Sequence, residues 1–215
     1  MGYTVCSSCR KIQVYGGPSL KQISIILFNN FTTLDALGPA EVFSKLDTVY
    51  DIKYYSNGGG FVTSSTKNKI QTEKMDEIQQ KDIIVIPGGW GTRKLVSDTD
   101  FIRKLGSLAS ECEYVLCVCT GSALLSKTGL LDDRKATSNK ISWEWVVNQN
   151  NNVKWIKKAR WVVDGKYYTS SGVTAGIDMA LGFIRDTISY EAAKKISSGL
   201  EYVWNEDKNH DPFSE

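Results

Sequence analysis

Three short stretches, "QISIILF" (22–28), "DIIVIP" (82–87) and "EYVLCV" (113–118), are apolar almost throughout and show little alternation between polar and apolar side chains. A strand that faces water on one side alternates; one covered on both faces does not. Amphipathic helical stretches separate them. After Ser97, which is placed to cap a helix, Phe101, Ile102, Leu105, Leu108 and Ala109 recur with the 3.6-residue period of a helix burying one face. Such a pattern predicts an α/β chain with a mostly parallel sheet between two layers of helices. Substrates of such sheets bind at the carboxyl ends of the strands.

The remaining pattern fits this frame. "LDALGPAEVFSKL" (34–46) reads as a helix whose Pro39 is tolerable in a first turn, "DIKYYS" (51–56) as a strand, and "GGG" (58–60) as a turn. Asp164-Gly165 marks a hairpin within "ARWVVDGKYYTSSG", Gly129 ends the helix in "TGSALLSKT", and residues 174–188 and 189–204 form closing helices. Residues 1–20 read as an extension before one domain spanning 21–213, a length suited to a single core.

Composition narrows the function. A net charge of +2 without a long basic run gives no reason to expect nucleic acid or a membrane surface as partner. No apolar run approaches the roughly 18 residues of a membrane span, and the first residues lack a secretory apolar core, so a cytoplasmic location is expected. Five cysteines, unevenly spread, suit a reducing compartment better than a disulfide framework. Cys6 and Cys9 have half-zinc spacing, but no second Cys or His pair completes a site, and no metal or organic cofactor is expected. The single histidine, His210, lies in a polar tail, so a Cys-His pair would have to recruit it. The tryptophans of "SWEWVV" and "KWIKKARW" read as core and interface residues.

Against that background the junction "YVLCVCTGSALL" (114–125) stands out. Cys119 sits where a buried strand meets a helix. There the free amides and the positive end of the helix dipole favour thiolate, and a tight turn lifts the side chain off the sheet, as in the nucleophile elbow. Cys117, inside the strand, reads as a small buried hydrophobe; Cys119 could be one as well. The amides of Thr120 and of Gly89, with Gly88 beside it in "PGGWG", are candidate donors to a developing anion. Asp35, just after the first strand, either caps its helix or reaches the same edge as a protonated carboxyl that hydrogen-bonds the sulfur.

The motifs "LDALGPAEVF", "DIIVIPGGWG", "VCTGSALLSKTGLLDDRKAT", "TSSGVTAGIDMAL" and "LEY…DPF" resemble those of the ThiJ/PfpI superfamily, with the flavodoxin-like three-layer fold of class I glutamine amidotransferases. They point to the subgroup of isonitrile hydratases and amidase-like sensor halves of AraC-type regulators. The absence of a helix-turn-helix segment disfavours a regulator. The resemblance implies a small-molecule substrate and a homodimer with the Asp35 helix near the partner. It also implies that Cys119 attacks the isonitrile carbon to give a thioimidate, assisted by Asp35, with Gly89 and Thr120 at the anion pocket. Relatives commonly carry histidine and tryptophan where this chain has Asn139 and Lys140. That loss weighs against the alternatives that rely on a Cys-His pair, glyoxalase-, deglycase- or amidase-like chemistry. A thiol redox sensor or a binding module is the non-enzymatic alternative.

Overall fold

A computed structural model describes residues 20–215 of the chain. The expected extension, with Cys6 and Cys9, falls outside these residues apart from Leu20. In chain order the elements are β1 (Lys21–Ile26), α1 (Thr33–Ser44), β2 (Tyr50–Ser56), β3 (Gly60–Thr63), β4 (Lys69–Lys74), β5 (Ile83–Ile86), α2 (Thr92–Leu95), α3 (Thr99–Glu111), β6 (Tyr114–Val118) and α4 (Gly121–Lys127). There follow β7 (Lys135–Ala136), α5 (Trp143–Val147), β8 (Lys154–Trp155), β9 (Trp161–Asp164), β10 (Tyr167–Ser170), α6 (Ala175–Thr187) and α7 (Tyr190–Gly199).

Eight strands form one sheet in the order β3-β4-β2-β1-β5-β6-β10-β9. The six central strands run parallel, and β3 and β9 are antiparallel edges. The non-alternating runs became β1, β5 and β6, which lie side by side in the middle. Ile23, Ile25, Ile84, Val85, Val115 and Leu116 are fully buried, each contributing about 1.5–3 kcal/mol on transfer from water. On one face α1 packs on α6, with Phe43 and Phe183 edge-to-face at 5.9 Å; α3 and α4 pack together on the other. Among the described residues no helix is long and apolar enough to cross a membrane.

Several local expectations are corrected. The cap of α3 is Asp98, whose carboxylate accepts from the Phe101 amide at 3.0 Å, and not Ser97. Pro39 lies in the middle of α1, outside the first turn, and has no N–H to give the carbonyl of Asp35 four residues back. The strands β3 and β4, the short pair β7–β8 and the one-turn helix α2 have no counterpart in the sequence reading. The hairpin at Asp164-Gly165 and the glycine ending α4, Gly129 with φ 80°, are as expected.

What positions the site is the point where the sheet reverses direction. From β1 the chain crosses to β2 on one side and later returns to β5 on the other, leaving a crevice at the carboxyl ends of β1 and β5. The register pairs Ile86 with Cys117 and Val118 with Ser170, so the residues after these strands, Gly88, Cys119 and Ser171, emerge at one level.

Candidate active site

Cys119 occupies the left-handed backbone region, with φ 56°. A non-glycine residue there costs about 1–2 kcal/mol, and the surroundings hold it in place. Its amide donates to the Ser171 carbonyl at 3.1 Å, while its own carbonyl accepts from the hydroxyls of Ser138 at 2.8 Å and Ser122 at 2.9 Å. Gly121 is required by close approach, because a Cβ there would sit 2.2 Å from the Ile86 carbonyl oxygen. The turn thus ties three strand ends together and points the sulfur into the crevice.

Asp35 is brought to the same place from the first turn of α1. It does not cap the helix; that position belongs to Thr32. Its carboxyl is fully buried and accepts the Gly88 amide at 2.9 Å through Oδ2; Oδ1 is buried without a hydrogen-bond partner, and the Cys119 thiol is the side chain that acts on its titration. Burial pushes Asp35 up from 3.8 to about 7, against the lowering effect of the Gly88 amide and the thiol. Burial likewise pushes the Cys119 thiol well above its ordinary value, and the charge of Asp35 adds to this. The Thr120 amide and hydroxyl pull it down without winning. The direction of this shift opposes the thiolate expected from the helix end. A 7% exposed residue loses more hydration than a seven-residue helix returns.

Of the expected anion-binding amides that converge on this pair, the two glycine amides are already engaged. Gly88 N–H is taken by Asp35, and Gly89 N–H donates to the Thr120 hydroxyl at 2.9 Å. The Thr120 amide faces the sulfur. Gly88 admits no side chain: a Cβ would lie 2.6–2.8 Å from Thr120 N, Thr120 Oγ1 and Asp35 Oδ2.

Cys119 opens onto a pocket of about 690 Å³ whose walls include Asn139, Ile141, Arg160, Val173 and Phe213. Asn139 thus stands beside the nucleophile, its Oδ1 buried without a partner. His210 is exposed and is not part of the wall, although Pro212 and Phe213 next to it are. Cys117 and Cys112 are buried away from the pocket.

Sequence reasoning missed the charged cluster behind the pocket. Arg160 donates to Asp178 from Nε at 2.8 Å and Nη2 at 2.7 Å, and its Nη1 lies 3.5 Å from Asp211. Lys140 lies 3.6 Å from the other oxygen of Asp211 and donates to Thr137 Oγ1, the Ser138 carbonyl and the Ala159 carbonyl, each at 3.0 Å. Burial lowers Lys140 to about 8 in spite of Asp211. This cluster clamps the segment after α7 to the sheet and braces the loop that carries Ser138 and Asn139.

A model of the DJ-1/PfpI family matches residues 21–186. The chain belongs to that family. Among curated DJ-1/PfpI relatives it is 32% identical over 183 residues to the isonitrile hydratase of Pseudomonas putida, covering 85% of this chain and 78% of that protein. It is 26% identical over 190 residues to the HTH-type transcriptional regulator GbdR of Pseudomonas aeruginosa, covering 85% of this chain but spanning only 51% of the regulator. A ThiJ/PfpI family protein from Pseudomonas syringae superposes with a TM-score of 0.77 at 27% identity, covering 85% of this chain and 75% of that one. DJ-1beta of Drosophila melanogaster superposes at 0.74 and 19% identity, covering 86% and 100%. The DJ-1/PfpI relatives thus include both an enzyme and regulators.

Proposed function

We propose that the chain is a cysteine-dependent hydratase that converts a small isonitrile to its N-substituted formamide. The observation that carries this reading is a cysteine, Cys119, on the wall of an open pocket that contains no histidine, with the buried carboxyl of Asp35, pushed up to about 7, acting on it from behind that wall. A proton carrier works best with a value near the working pH, which Asp35 has.

In the proposed sequence Asp35 takes the thiol proton as sulfur bonds to the terminal isonitrile carbon, and returns that proton to the carbon, leaving a thioimidate. Asp35 then removes a proton from water as its oxygen bonds to the same carbon, and delivers the proton to nitrogen. Collapse breaks the carbon–sulfur bond, the hydroxyl proton returns through Asp35 to sulfur, and the formamide leaves. One isonitrile and one water give one formamide, with every proton passing through a single carboxyl. The intermediate before collapse is neutral. That suits a site whose Gly88 and Gly89 amides are already committed, which leaves the Thr120 amide as the one expected donor still open to an oxyanion.

The test is formamide production from a panel of aliphatic and aromatic isonitriles, with methylglyoxal and small amides run in parallel, on the wild type, Cys119→Ala and Asp35→Asn. Turnover of isonitriles alone, lost in both variants, is expected; an active Cys119→Ala protein overturns the proposal. The same reading includes a homodimer with α1 near the partner, where Leu34 is half exposed. Light scattering giving a mass near 48 kDa, about twice the 23.9 kDa chain, is the expected result.

A further inference from the structure

One cation near the sulfur has no anion to answer it. Arg93 extends from α2, just beyond the Gly-rich loop, and its guanidinium lies 3.4 Å from the centre of the Trp145 ring and 5.4 Å from that of Trp90. Nη2 donates to Ser142 Oγ at 2.8 Å. Nη1 is buried and makes no hydrogen bond, and among the described residues no carboxylate lies within ion-pair distance of the group. Arg93 follows Thr92, whose hydroxyl lies 3.2 Å from the hydroxyl of Thr120, the residue after Cys119. The other cations at the site differ. Arg160 and Lys140 are paired with Asp178 and Asp211. Lys157 is exposed on the pocket wall, which Glu215 also lines.

An arginine fixed on an aromatic face with one N–H left unanswered is costly unless something completes it, and the matching partner is a planar oxyanion. Ser142 and Trp145 fix its orientation, and Ile141, next to Ser142, lines the Cys119 pocket. Trp90 also lies against the guanidinium and is 78% exposed, so its indole can turn aside when a ligand arrives.

We propose that Arg93 is the anion-recognition residue of this site and that the substrate carries a carboxylate close to the carbon that Cys119 attacks. This rests on Cys119 as the nucleophile and, within the hydratase reading, makes the substrate an isocyano-carboxylate. Arg93 binds the carboxylate at the mouth while the electrophilic carbon descends to the sulfur, which orients the substrate without requiring the closed amides at the floor.

The test compares alkylation of Cys119 by iodoacetate, which carries a carboxylate, and by iodoacetamide, its neutral analogue, followed by peptide mass spectrometry. In both reactions sulfur bonds to the methylene carbon as iodide leaves, so the acidity of the thiol cancels in the ratio of the two rates. Arg93→Gln is expected to lower the iodoacetate-to-iodoacetamide ratio by about tenfold, the scale of a lost charge-assisted contact. Lys157→Gln is expected to change it less than about threefold, as a solvent-screened charge would. An unchanged ratio in Arg93→Gln, an equal fall in Lys157→Gln, or a wild-type Cys119 that iodoacetate does not modify each overturns the proposal. A second measurement needs no variant: propionate slows the iodoacetamide reaction of the wild-type protein and propionamide at the same concentration does not; equal or absent protection by both counts against the proposal. Neither readout uses isonitrile turnover, so failure of the hydratase reading and failure of the anion site are told apart.

Discussion

Asp35 should make stability and activity run in opposite directions with pH. In the folded chain its carboxyl titrates at about 7, against 3.8 for an unhindered aspartate. Between those values the folded state holds a proton that the unfolded state has released, so stability falls as pH rises, and the loss is complete once the pH exceeds the folded value. At about 1.4 kcal/mol per pH unit the full interval is worth about 4 kcal/mol. Between pH 5 and 7.5 the expected loss is about 2.5 kcal/mol. Asparagine can keep the Gly88 hydrogen bond without ever carrying the charge, so Asp35→Asn should not show this loss. The assay is urea unfolding of both proteins at half-unit steps from pH 5 to 7.5. All other titrating groups are shared and cancel in the difference, which should widen steadily in favour of the variant. Over the same range the kcat/KM of the wild type should rise through an inflection near pH 7, because the ionised carboxyl is the form that can accept the thiol proton. Parallel stability curves for the two proteins would refute the argument that a buried carboxyl is held near neutrality.

Three further outcomes follow from the geometry. Gly88→Ala pushes a methyl into Thr120 and Asp35, and should cost about 1–3 kcal/mol in a denaturant melt while removing most activity. Cys119→Gly should be more stable than Cys119→Ala by about 1 kcal/mol, because only glycine occupies φ 56° without strain; equal midpoints would mean that the turn relaxes when the sulfur is gone. Asp211→Ala leaves two buried cations without their shared partner, and should cost about 3–5 kcal/mol, read as a lowered midpoint in thermal or urea unfolding.

The middle of the sheet was legible because β1, β5 and β6 are covered on both faces, which permits no polar residue pattern and leaves a plain apolar run. The edge was not. "GFVT" and "KIQTEK" place one residue each in the core, Val62 and Thr72, and a single buried position carries no periodicity. Cys119 and Asp35 could be brought to one edge because both come after parallel strands, whose carboxyl ends meet by topology; spacing left Asp35 equally readable as a helix cap, and the family resemblance favoured the pairing. Their charge state could not: the helix end that favours thiolate is visible in sequence, whereas the burial that defeats it is a property of the folded whole. Arg160, Asp178 and Asp211, and the part Lys140 takes beside them, escaped notice for a related reason. Their pairings join residues far apart in the chain, and no local spacing announces them. Arg93 was hidden because its distinguishing property is the lack of a counter-charge.

The clamp at Asp211 also bears on how the protein is handled. Because it holds the last residues down on the sheet, Phe213 and Glu215 are part of the wall around the sulfur, and any polypeptide fused after Glu215 would leave from the rim of the cavity that small molecules must use. A purification handle on that side should compete with ligands.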